Sequence, residues 1–86
     1  VARLERKQGR VEAARTAALK GLSVRADDIP LLVEHAAIEA QIALTATEPR
    51  VRHQAAGRTR DAVDQLLVVA PGHPGADAIK KSVERI

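Results

Sequence analysis

The 86-residue chain contains no Cys, Met, Trp, Tyr or Phe. Without cysteine there are no disulfides and no thiolate zinc sites, and the redox compartment stays undetermined. Without aromatic side chains a self-contained core loses its usual large contributors, so the core is expected to be thin. The apolar content is still 45%, supplied by Ala, Val, Leu and Ile, which suits closely spaced helices with small residues where they cross. No apolar run approaches the roughly 20 residues needed to span a bilayer, and the opening residues VARLERKQGR hold no apolar signal core. A soluble segment is expected, with cytoplasm and periplasm both open.

Eighty-six residues make one domain at most. The chain begins at Val1 and stops at Ile86 inside a helical pattern, so residues 1–86 are expected to be one helical-repeat domain within a longer protein. A net charge of +3 and a pI near 10.0 permit attraction to anionic partners but lie far from the dense positive charge of a dedicated nucleic-acid binder.

What is present is helix punctuation and helical spacing. Three segments combine capping residues with a proline suited to a first turn: Arg25 to Pro30, Thr45 to Pro49, and Ala70 to Gly75. Asp28, Thr47, and Gly72 or His73 are the expected N-caps. Between them, Leu31, Leu32, Val33, Ala36, Ala37, Ala40, Ala43 and Leu44 recur at three and four, as do Val51, Ala55, Thr59, Ala62, Val63, Leu66, Val69 and Ala70. The second series predicts a helix from about Arg50 to Ala70 that carries Gly57 or bends there. Upstream, Val11, Ala14, Ala18, Leu19 and Leu22 form another face, separated at Gly9 from a short helix holding Ala2, Leu4 and Glu5. Downstream, Ala76, Ile79, Val83 and Ile86 begin one more. Nothing alternates with period two for long enough to argue a strand. The expected fold is all-α, with five helical segments running up and down.

Two segments align with each other: both begin Gly-Arg, at Gly9 and Gly57, and both place an alanine five residues later, at Ala14 and Ala62. Gly9, Val11, Ala14, Ala18, Gly21, Leu22 and Ala26 resemble the second half of a tetratricopeptide repeat. Gly57, Thr59, Ala62, Leu66, Val69, Ala70 and Pro74 repeat the pattern. The resemblance implies antiparallel helical hairpins stacked as a right-handed superhelix. The two glycines are 48 residues apart, against about 34 for the standard repeat, which keeps HEAT-like and armadillo-like solenoids, at about 40–47, as the alternative.

Catalysis needs a clustered constellation, and the sequence presents none. His35, His53 and His73 are 18 and 20 residues apart, without HExxH or metal-ligand spacing, and read as ordinary surface and turn histidines. Asp27 and Asp28 sit ahead of a helix start, where a carboxylate caps free amides. The glycines of Ala70-Pro-Gly-His-Pro-Gly75 lack the spacing of a phosphate loop. No catalytic residue, cofactor or metal is expected, and the chain reads as no enzyme.

In tetratricopeptide proteins the first helix of each pair lines a peptide-binding groove. The resemblance therefore implies a partner groove at Arg3, Arg6 and Lys7 on the first pair and Glu34, Ile38, Gln41 and Ile42 on the second, with a basic wall and an apolar floor. An acidic or amphipathic protein or peptide would fit it. Arg50, Arg52, Arg58 and Arg60 form a second candidate, a patch for an anionic partner or nucleic acid, although the aromatic stacking platforms of single-strand binders are absent. The function expected is a protein-interaction scaffold. The alternatives are a basic nucleic-acid module and an accessory helical region of a larger enzyme or export assembly, and self-association is left open.

Overall fold

A computed structural model describes the backbone of residues 2–86 and the side chains of residues 11–86. Four helices follow in order: α1 (Ala2–Val24), α2 (Ile29–Thr45), α3 (Pro49–Val69) and α4 (Pro74–Ser82). The fold is all-α, with no strand among the described residues, and none of its helices is long and apolar enough to cross a membrane. The expected five segments become four, because α1 runs through Gly9 without a break. Helix α3 likewise runs through Gly57. An interior glycine costs about 1 kcal/mol against alanine, which the good helix formers on either side absorb.

The connections follow the expected punctuation with one shift. Asp28 caps α2, its carboxylate accepting from the Leu31 amide at 3.1 Å, and Pro30 occupies the first turn, where a missing N–H costs nothing. At α3 the cap is Glu48, not Thr47, and its side chain makes no capping bond. His73 caps α4 through Nδ1, which accepts from the Gly75 amide at 3.0 Å. The preceding turn passes through Gly72 at φ +79°, a left-handed conformation that glycine enters without steric penalty.

Helix α2 is the centre of the molecule. It packs against α1, α3 and α4, and α3 also touches α4, whereas the α1 and α3 backbones do not approach each other closely among the described residues. Early α2 meets late α3 in one core cluster, Leu32 and Ala36 against Ala62, Val63 and Leu66, with Ala76 of α4. Late α2 meets early α3 in a second, Ala40 and Ala43 against Ala55 and Ala56, closed by Val83. This second seam is almost all alanine, so the missing aromatics are matched by helices that approach closely. Thr59 is completely buried in α3, its hydroxyl donating to the Ala55 carbonyl at 2.8 Å. The predicted apolar faces are therefore largely covered, but Leu44 at 52% exposure, Leu19, Val69 and Ala37 look outward.

Candidate functional site: a buried carboxylate and an open groove

Glu39 has zero solvent exposure on α2. A carboxylate removed from water is costly unless charges and hydrogen bonds replace its hydration. Here the replacement comes from two sides. Arg15 of α1 donates its Nε–H to Oε1, and Arg58 of α3 donates its Nε–H to Oε2 at 2.6 Å. Bonds between a guanidinium and a carboxylate are charge-assisted and stronger than those between neutral groups. One side chain of α2 thus ties α1 and α3 together.

His35 lies one turn before Glu39 on the same face, with Nε2 3.8 Å from Oε1. That is too long for a hydrogen bond. Its Nδ1 is buried with no partner among the described residues. Burial pushes the His35 pKa below 6.5; Glu39 opposes that shift and Arg15 adds to it. The four groups together hold an Arg–carboxylate–Arg bridge with one positive charge in excess and a neutral imidazole beside it.

Neither Glu39 nor Arg15 stands out from residue type and spacing alone, and His35 reads as an ordinary histidine. Two signals were available. Glu39 is the single charged residue in the run from Ala36 to Thr45, at a position flanked by core residues. His35 and Glu39 are also separated by four, which sets them on one helix face.

The expected groove is displaced. Arg3, Arg6 and Lys7 lie outside the residues whose side chains are described. Glu34 is exposed, whereas Ile38 is only 8% exposed and belongs to the interior, and Ile42 is partly buried against the second core cluster. Gln41 does line a groove, together with Ala37, Ala40, Leu44 and Thr45 of α2 and Ala78, Ile79 and Ser82 of α4. The groove sits on α2 where the expected positions shift by about one turn. None of its lining residues is charged.

The four arginines are not gathered into one patch. Each residue advances about 100° around a helix axis, so Arg50, Arg52, Arg58 and Arg60 point in separate directions around α3. Arg50, Arg52 and Arg60 are exposed, and Arg58 is committed to Glu39. No protein-family model matches the chain, and searches of curated proteins and of solved structures found no match.

Proposed function

We propose that this chain is a binding module of helical-repeat type, acting without catalysis, whose α2–α4 groove receives one apolar-faced helix of a partner protein. The observation that carries the reading is the chemistry of the groove. Its two hydroxyls are already used: Thr45 donates to the Gln41 carbonyl at 2.8 Å and Ser82 to the Ile79 carbonyl at 2.6 Å. Apart from the Gln41 amide, the lining is aliphatic. An extended peptide laid there would bring backbone amides and carbonyls with little to bond, at a cost for each one buried. A helix satisfies its backbone internally and offers apolar side chains at three-and-four spacing to the alanine-floored seam.

The arrangement of the helices supports the repeat reading. Each of α2 and α3 packs on the next helix, and α4 lies against both, as in arrays whose units contact chiefly their neighbours. The hairpin from Ile29 to Val69 is of the length of a HEAT-like or armadillo-like unit, about 40–47 residues, and longer than a tetratricopeptide unit of about 34. Of the two solenoid types, the longer-hairpin one therefore fits this chain better.

The test is site-specific photocrosslinking from Leu44 in the native host, followed by calorimetric titration of the crosslinked segment as a synthetic peptide. The expected result is a partner segment that turns helical on binding and loses at least tenfold in affinity with Leu44→Asp or Ala78→Asp, while Glu34→Gln binds normally. Crosslinks confined to a second copy of this chain, or binding indifferent to both aspartates, would remove the reading. Salt-sensitive retention of duplex or single-stranded nucleic acid by Arg50, Arg52 and Arg60 would favour the nucleic-acid alternative instead.

A further inference from the structure

The Arg15–Glu39–Arg58 bridge lies about half a helical turn around α2 from the groove residues Gln41 and Leu44, so it belongs to a different face. That face lies between α1 and α3, which both pack on α2. Arg15 reaches it from α1 and Arg58 from α3, and Glu39 sits between them on α2.

Neutralising Glu39 takes one guanidinium; the bridge holds two. Both arginines use Nε–H on the carboxylate, and no other hydrogen bond of either side chain is found among the described residues. Their side chains are 32% and 40% exposed, which leaves the outer amino groups within reach of solvent. The acidic residues placed one turn away, Glu12 before Arg15 and Asp61 after Arg58, form no ion pair with them. The excess positive charge is thus fixed in position and unanswered among the described residues. Glu39 also holds both side chains in place, so a ligand meets guanidinium groups whose rotamer freedom is already spent.

We infer that Arg15 and Arg58 form a binding site for a phosphoryl group on the face between α1 and α3, with Glu39 as the residue that positions them. The free amino groups of two guanidiniums can share the several oxygens of a tetrahedral dianion, which offers more acceptors than a second carboxylate would. The site stands independently of the groove, and its failure would leave the proposed partner helix untouched.

The test is a titration of the full chain with inorganic phosphate, and separately with phosphoserine, followed through the arginine Nε–Hε resonances at constant ionic strength. The expected result is saturable shifts of the Arg15 and Arg58 signals, with a dissociation constant on the order of 1–10 mM for either source of the group. Arg15→Gln and Arg58→Gln should each weaken binding at least tenfold, and Arg60→Gln, on an exposed position of the same helix, should leave it unchanged. Circular dichroism checks the fold of each variant. Should a glutamine variant unfold, Arg58→Lys keeps the charge but loses the fork and should bind several-fold more weakly. Linear shifts equal to those from sodium chloride, undiminished binding in both glutamine variants, or equal saturation by acetate would each overturn the assignment.

Discussion

The Arg58 guanidinium reaches from α3 to Glu39 on α2 at 2.6 Å, and the carboxylate it meets has no contact with solvent. Arg15 holds the other oxygen from α1. The consequence is an asymmetry between losing one arginine and losing both. Arg15→Gln or Arg58→Gln alone leaves Glu39 one charged partner and should cost about 1–2 kcal/mol. The double variant strands a buried carboxylate and should cost about 3–5 kcal/mol. A double-mutant cycle by urea denaturation should therefore give a loss larger than the sum of the singles; strict additivity would mean that the two bonds do not share one buried acceptor.

His35 gives the fold a dependence on mild acid. Its pKa in the folded chain lies below 6.5, because burial disfavours the imidazolium and Arg15 repels it, with Glu39 in partial opposition. Below pH 6.5 the unfolded chain therefore takes up the proton more readily than the folded one. Stability contributed by neutral His35 is present above pH 6.5 and is lost as pH falls from there through the folded value. Denaturation midpoints measured from pH 7.5 to 5 should decline for the native chain and decline less for His35→Gln, although other groups titrate toward the lower end. Identical slopes for the two proteins would contradict this.

The glycines separate cleanly by environment. A Cβ added at Gly57 meets nothing within 4 Å in the middle of α3, so Gly57→Ala should stabilise by about 0.5–1 kcal/mol. Gly72 also has open space, but its φ of +79° is strained for any other residue, and Gly72→Ala should destabilise by about 1 kcal/mol. Thermal denaturation of both variants checks the opposite signs.

Two leucines should divide folding from binding. Leu66 is wholly buried in the first core cluster, and Leu66→Ala should cost about 2–5 kcal/mol. Leu44 is 52% exposed at the groove, so Leu44→Ala should move stability by no more than about 0.5 kcal/mol. A large loss at Leu44 would place it in the folding core and not at an interaction surface.

The sequence alone determined the helices and most of their interior. Asp28 with Pro30, and His73 with Pro74, announce helix starts because caps and first-turn prolines act over three or four residues. Spacing of three and four marked Leu32, Ala36, Ala40, Ala43, Ala62, Val63 and Leu66 as a buried face, since that periodicity is local. Gly9 misled, because its cost is small enough for a long helix to absorb. Tertiary structure decided the rest. Ile38 went inside and Ala37 and Leu44 stayed out because α2 has neighbours on several sides, and only their placement fixes which apolar positions are covered. Arg15, Glu39 and Arg58 come from three helices, 24 and 19 residues apart, and no local rule links them. Packing brings them together by removing Glu39 from water and making both arginines its substitute for solvent.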